Sequence, residues 1–444
     1  MTPDPFGQAN RVSTKEVKTQ VAIVGAGYAG LSAYLTLRRR LDWNHQTLSL
    51  VNKHAYHYFT TELHTLVGGA EDEESVSIAL GQVVRRPATL LLAEADRILP
   101  EESRLVLKPA PGSLARVGTA HAYFSLRYDY LVVALGSEPE YFNLPGVREN
   151  SVVVHSLRSA EALQTRLNHL ATLGGAGGFG EVIIAGGGLT GVELATEIAD
   201  AYGRHLRVTL VEAAPEVMPG LDPYLAKVSR RSLEDKGVTI LTGVPVLKAE
   251  PERLFLKGGA VIPFDLLVWA GGVRGPALLA KSGLAVTPRG RGLVSGSLQA
   301  KGYPNIYLVG DCAAFKDPAT GLELPPTAQA AVQMGHAAGQ AVLARLQGLE
   351  APTFRPNIKG VFVSLGRDEG VGNIGHSRYE GVPAVVIKEL IQGHHAFEAG
   401  GMLQILRRLF RRRRPMGIPA QPLLRRPAAP TLPEEPPGPE LHVN

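Results

Sequence analysis

Cysteine is almost missing from this chain: Cys312 is the single one in 444 residues. One thiol cannot build a disulfide framework, an internal dithiol redox pair, or a Cys-based zinc or iron–sulfur site, and no metal is expected. Also missing is any apolar run of the roughly 18 residues that span a bilayer. The stretch MTPDPFGQANRVSTKEVKTQ is polar and lacks the apolar core of a signal peptide. A chain made and folded in the cytoplasm is therefore expected. Disorder throughout is excluded by an ordinary balance of 45% hydrophobic and 20% charged residues.

What is plentiful is glycine, at 50 residues, clustered where strands turn into helices. QVAIVG (20–25) reads as a buried strand, GAGYAG as a glycine turn, and LSAYLTLRRR as a helix with apolar Leu31, Tyr34, Leu35 and Leu37. LSLVNKH follows as a second strand. The same grammar returns about 160 residues later in EVIIAGGGLTGVELATEIADAYG and LRVTLVEAA, a duplicated βαβ unit rather than a solenoid repeat. Further buried strands are YLVVALG, ending at Gly136, LLVWAGG (266–272), and NIYLVGDCAAF (305–315), with Asp311 at its C-terminal end. TAQAAVQMGHAAGQAVLARL reads as a small-residue-rich helix behind Pro325 and Pro326, and 355–382 as strand-rich.

In Gly25-x-Gly27-x-x-Gly30 and Gly186-x-Gly188-x-x-Gly191 the glycines permit a tight turn, close approach of backbone to a pyrophosphate, and close helix–strand packing. The free N–H groups and positive end of the following helix then hold the phosphates. A purely structural turn is the competing reading, weakened by the strand–helix–strand context of both. The residue ending the second strand separates the two sites. Glu212, 26 residues beyond Gly186, can accept hydrogen bonds from an adenosine ribose and repel a 2′-phosphate, so NADH is expected over NADPH. In the first unit that place is Asn52, followed by Lys53, a departure from the usual acid. Two dinucleotide sites imply FAD plus NADH.

This arrangement resembles the two-dinucleotide flavoprotein reductases, in which the FAD domain is interrupted by the NAD domain; the resemblance implies that Asp311 binds the ribityl chain of FAD, helix capping being the alternative. Disulfide reductases and sulfide:quinone oxidoreductases of that group need cysteines that this chain lacks. HAYHYFTTELHTLVGG, LPPTAQAAVQMG and the run from IKGVFVSLG to KELIQGHHAFEAGGMLQILRRLF are similar to type II NADH:quinone oxidoreductases, over roughly residues 20–412. That resemblance implies non-covalent FAD held by Gly25, Ala26, Gly27, Tyr28, Ala29, Gly30, Asn52, Lys53, Ala95, Gly136, Asp311, Ala328, Gln329 and Lys388. It implies NADH on Gly186, Gly188, Gly191 and Glu212, and a quinone at Gln329 and Gln333, two residues that share a helix face. A packed Ala-rich helix with solvent-facing Gln is the plainer alternative. Glu193 is implied to face the nicotinamide–flavin contact as the catalytic carboxylate, a dipole-complementing Glu being its alternative. Thr60 and Thr61 in YHYFTTELH receive no role.

The basic residues crowd together. In MLQILRRLFRRRR the apolar Met402, Leu403, Ile405, Leu406, Leu409 and Phe410 take one helical side, and Arg407, Arg408 and Arg411 to Arg414 take the other. Upstream, Ala384, Ile387, Leu390 and Ile391 repeat the pattern. Such a helix lies in a membrane interface with its arginines on anionic headgroups. Nucleic acid is excluded, because the apolar side would stay exposed; a partner surface or homodimer is the alternative occupant. Beyond Arg414, nine prolines fall in the last thirty residues, composition of a disordered tail.

The expected fold is thus α/β, with two Rossmann-like dinucleotide-binding domains and a C-terminal α+β membrane-associating segment. Residues 1–19 form a polar extension, 20–145 and 273–345 the FAD domain, 146–272 the NADH domain, 346–414 the membrane segment, and 415–444 the tail. The expected activity is NADH oxidation through FAD to a membrane quinone, without proton pumping, on the cytoplasmic face of the cell membrane. The alternatives are NADH-dependent reduction of a soluble ferredoxin-like acceptor, or a non-enzymatic FAD/NADH sensor.

Overall fold

The computed structural model describes residues 16–110, 124–174 and 178–400. The apolar run Val21–Val24 is interior on both faces, as a central parallel strand requires. It belongs to β1 (Glu16–Val24), which leads through the first glycine turn into α1 (Tyr28–Arg38) and then β2 (Leu48–Asn52). A short helix, α2 (Leu63–Val67), precedes β3 (Thr89–Leu99), β4 (Arg104–Pro109) and β5 (Phe124–Val133). Val21 lies opposite Leu48 on one side and Tyr130 on the other, both in parallel register. β3 extends the sheet beyond β2, while β4 runs antiparallel to both β3 and β5.

The second unit opens with α3 (Leu157–Gly174) and repeats the pattern in β6 (Gly180–Ala185), α4 (Leu189–Tyr202) and β7 (Leu206–Val211). After α5 (Pro223–Asp235), β8 (Thr239–Leu241) and β9 (Leu266–Trp269) complete a four-stranded parallel sheet, order β8-β7-β6-β9. The chain then returns to the first sheet, where β10 (Tyr303–Leu308) pairs with β5. The parallel part of that sheet thereby reads β3-β2-β1-β5-β10, a doubly wound order with the second unit inserted. α6 (Ala328–Leu346) crosses α1 so closely that a Cβ on Gly335 would lie 2.1 Å from the carbonyl oxygen of Ala29. A large residue at 335 would push the two helices apart.

A third unit follows: antiparallel β11 (Gly360–Ser364), β12 (Gly370–Ile374) and β13 (Ser377–Glu380), then α7 (Val382–Gly400). Val363, Leu365 and Val371 share one core with Leu63, Leu66 and Val67 of α2 and with the helical face of the second sheet. A separate core joins residues 21–133 to 279–354. Among the described residues no helix is long and apolar enough to cross a membrane.

The helix at 382–391 corrects one expectation. Ala384, assigned above to the outward apolar side, is 1% exposed and faces the protein with Lys388, one turn further on. Leu390 and Ile391 are exposed as expected, Val382 and Val386 join them, and Ile387 is half-buried. Residues 402–414 and the tail lie outside the described residues.

Candidate active site

The two glycine turns are near-copies. Gly25 has φ +95° and Gly186 φ +118°, and a Cβ on either would lie 2.2 Å from a carbonyl oxygen, that of Ala134 or Ala270. On Gly30 and Gly191 it would meet the carbonyl oxygens of Gly25 and Gly186 at 1.9 and 1.8 Å, so helix and turn touch without room for a side chain. The middle glycines differ: next to Gly27 and Gly188 nothing lies within 4 Å. Both cap their helices in extended conformation, at φ/ψ −72°/−168° and −73°/−171°, and as glycines bring no capping side chain to the helix start. The positive end of each helix and the open space beside the middle glycine make two cradles into which a pyrophosphate fits.

The residue ending each second strand is tied back to its turn. Asn52 Oδ1 accepts from the N–H of Ala26 at 3.0 Å, and His57 Nδ1 donates to the carbonyl of the same Ala26 at 2.8 Å. Burial pushes the His57 imidazole down to about 4, so it supports the turn as a neutral ring. Glu212 Oε2 accepts from the N–H of Gly187 at 2.6 Å and Oε1 from Ala214 at 2.7 Å, which fixes the carboxylate beside the second cradle. Lys53 is exposed next to Asn52, and Ala95 lies in β3 opposite Leu107. The hydroxyls of Tyr28 and Thr61 are 2.9 Å apart, which ties the otherwise unassigned threonine to the start of α1.

Gly136 and Asp311 come together at the ends of neighbouring strands. Gly136 is left-handed at φ +68° with open space beside it, and the Ser137 hydroxyl donates to Asp311 Oδ2 at 3.3 Å. Burial raises the Asp311 carboxyl above its ordinary value, with Ser137 and Arg291 opposing. A Cβ on Gly310 would sit 3.1 Å from Cβ of Ala29 and 3.5 Å from that of Ala331, so the first cradle, the Asp311 turn and α6 converge. Ala328 is the first residue of α6. Gln329 and Gln333 point to one face, as their spacing requires, and both grip the segment entering β11. Gln333 donates to the carbonyl of Asn357 at 2.9 Å and accepts from its N–H at 2.8 Å; Gln329 accepts from the N–H of Lys359 at 3.0 Å.

Glu193 is the fifth residue of α4, a full turn inside, so the helix start is not what holds its charge. Its partners come from afar. Oε1 accepts from Lys388 Nζ at 2.7 Å and from the N–H of Ser364 at 3.2 Å, while His64 Nδ1 lies 3.8 Å from Oε2. Burial alone would push this carboxyl up; Lys388 and His64 outweigh it and hold it below the ordinary range. Burial likewise works against the Lys388 ammonium, but Glu193 and Glu62 raise it, and Nζ also donates to the Ser364 hydroxyl at 2.7 Å. The result is a buried anion–cation pair clamped between α4, α2, β11 and α7. Lys388 therefore sits against Glu193, reached through α7. Sequence reasoning did not find His64 or Ser364, although His64 ends the YHYFTTELH stretch.

Cys312 is fully buried, and burial pushes its thiol up to about 11, far from the thiolate that redox exchange needs. Among the described residues no group of His, Cys, Asp or Glu is arranged to hold a metal.

A family profile described as pyridine nucleotide-disulphide oxidoreductase matches residues 19–335. A type II NADH:quinone oxidoreductase of Staphylococcus saprophyticus is 29% identical over 404 residues, 87% of this chain and 97% of that protein. The protein of the same description from Staphylococcus aureus is 28% identical over 410 residues. Among solved structures, NDH2 from Plasmodium falciparum in complex with NADH superposes with a TM-score of 0.76 at 16% identity, over 88% of this chain and 97% of that one. A ferredoxin reductase from Rhodopseudomonas palustris gives 0.63 at 24%, over 80% and 82%. Both likenesses are of fold.

Proposed function

Because this chain belongs to the pyridine nucleotide-disulphide oxidoreductase family, we propose that it is a type II NADH:quinone oxidoreductase, passing electrons from NADH through FAD to a membrane quinone without pumping protons. The observation that carries the reading is the pair of matching cradles, one closed by Asn52 and the other by Glu212, with Glu193 of the second cradle's helix buried against Lys388 of α7. The family's dithiol chemistry is out of reach for a chain with one buried cysteine. FAD, when bound, supplies the two-electron chemistry; the protein supplies binding, orientation and exclusion of side reactions.

Gly25 to Gly30, Asn52, Lys53, Ala95, Gly136, Asp311, Ala328 and Gln329 would hold FAD, and Gly186, Gly188, Gly191 and Glu212 would hold NADH. Glu193 orients the nicotinamide or helps deliver a proton to the reduced quinone, and Lys388, bonded to it, joins the residues at the flavin. Gln329 and Gln333 border the quinone, with their main-chain bonds to 357–359 fixing the wall. We assign 20–145 and 273–345 to the FAD domain, 146–272 to the NADH domain and 346–414 to membrane attachment at the cytoplasmic face. The exposed Val382, Val386, Leu390 and Ile391 support that attachment; a homodimer is its alternative.

The test is a steady-state assay of purified protein with NADH or NADPH and a short-chain quinone. Rapid turnover with NADH, and much slower turnover with NADPH, is expected. Reduction of ferredoxin but of no quinone would replace the acceptor, and failure with every acceptor would reduce the chain to a nucleotide-binding sensor.

A further inference from the structure

Arg291 lies in none of the motifs above, yet its guanidinium gathers two segments, 311–313 and 323–324. It is 13% exposed and immediately precedes a two-residue strand, Gly292–Leu293, that pairs in parallel with Ala313–Ala314. From there Nε donates to the carbonyl of Asp311 at 3.2 Å, and Nη2 to the carbonyls of Ala313 at 2.6 Å and Leu324 at 3.1 Å. Nη1 meets the Glu323 carboxylate at 3.0 Å. The backbone of Arg291 is itself held, its N–H by the Thr287 hydroxyl and its carbonyl by the N–H of Thr287. Leu324 is the last residue before Pro325 and Pro326, two residues without an N–H, so its carbonyl is where the segment entering α6 can be anchored from this side.

We propose that Arg291 is a positioning residue for the flavin: by holding the carbonyls of Asp311, Ala313 and Leu324 in one fork, it sets the aim of the Asp311 carboxylate. The inference rests on the reading of Asp311 as a flavin-binding residue. A planar fork with donors at fixed angles is suited to three carbonyls from two segments, whereas a lysine offers one point charge on a flexible stem. The carbonyl of Asp311 belongs to the residue whose carboxylate faces Ser137, so a shift of that peptide swings the carboxylate directly.

The test is a double-mutant cycle on FAD affinity, measured by titrating FAD into the flavin-free protein, with Arg291→Lys, Asp311→Asn and the pair together. Arg291→Lys should weaken FAD about tenfold, the scale of losing one or two of its hydrogen bonds. Asp311→Asn should weaken it at least as much, and in that background Arg291→Lys should cost little more, because its effect passes through Asp311. Losses that multiply independently would make Arg291 a merely structural residue and overturn the proposal. If Asp311→Asn leaves FAD affinity unchanged, the flavin reading of Asp311 fails and the proposal with it. If Asp311→Asn weakens FAD while Arg291→Lys does not, the reading survives and the proposal alone falls. Should Arg291→Lys not fold, judged by circular dichroism, Glu323→Gln takes its place in the same cycle. It takes the charge from one arm of the fork, weakening that bond, and should weaken FAD about threefold, again only where Asp311 is intact.

Discussion

At the scale of single residues, the molecule stores ionisable groups where water does not reach, and each carries a consequence that pH reveals. Glu197, 1% exposed and packed against Gly68, has its carboxyl pushed up to about 8, chiefly by burial. In the unfolded chain it ionises near its ordinary value of about 4.3. Between those two values the folded state holds a proton that the unfolded state has released, so the group favours folding at low pH and loses that contribution as pH rises toward 8. Glu197→Gln should remove the slope and raise stability near pH 8 by about 2 kcal/mol, read from urea unfolding across the pH range. A parallel shift at every pH would contradict it. Glu193 behaves oppositely: its depressed carboxyl stabilises above the ordinary range and loses that contribution as pH falls through the folded value. Lys388→Met leaves that anion buried and unpaired, and should cost about 3 kcal/mol at neutral pH, with part regained on acidification as Glu193 takes a proton. Glu193→Gln should keep the fold and lower quinone-dependent turnover by about one to two orders of magnitude; unchanged half-reactions would make it a packing residue.

At the scale of elements, the glycine turns were legible because their chemistry is local: spacing, strand and helix all fall within about thirty residues. The same turn makes a sharp contrast between two alanine substitutions. Gly27→Ala places its Cβ in open space, so the flavin-free protein should unfold at nearly the same temperature while FAD content drops. Gly25→Ala meets the carbonyl of Ala134 at 2.2 Å in a left-handed conformation and should destabilise the whole first sheet. Unchanged FAD content in Gly27→Ala would mean that the open space is not where the phosphates lie. The Glu193 cluster was only half legible. Lys388 and Ser364 reach Glu193 across 195 and 171 residues, and no periodicity records such a meeting. α7 misled for a related reason. It is apolar on several sides at 384–387, so the pattern alone left its outward side open; pairing of Lys388 with Glu193 turns Ala384 inward with it and leaves Val386 outward beside Leu390.

At the scale of the whole molecule, the inserted second unit and the returning β10 bring two cradles into one chain, and the third unit packs on the second through Val363, Leu365 and Val371. Attachment to a surface and redox chemistry should therefore separate. Cutting after Gly400 removes the arginine cluster and leaves both cradles and α6 intact. The shortened protein should keep FAD and reduce a water-soluble acceptor with NADH, yet leave anionic vesicles and lose most activity toward long-chain quinone. Vesicle binding equal to that of the full chain would place the contact elsewhere. The most direct measurement of the central claim follows the absorbance of bound FAD without oxygen, first on mixing with NADH and then with quinone. The account predicts full bleaching by one equivalent of NADH and recovery with quinone at least as fast as steady-state turnover. Bleaching that quinone fails to reverse, or no bleaching by NADH, would contradict it.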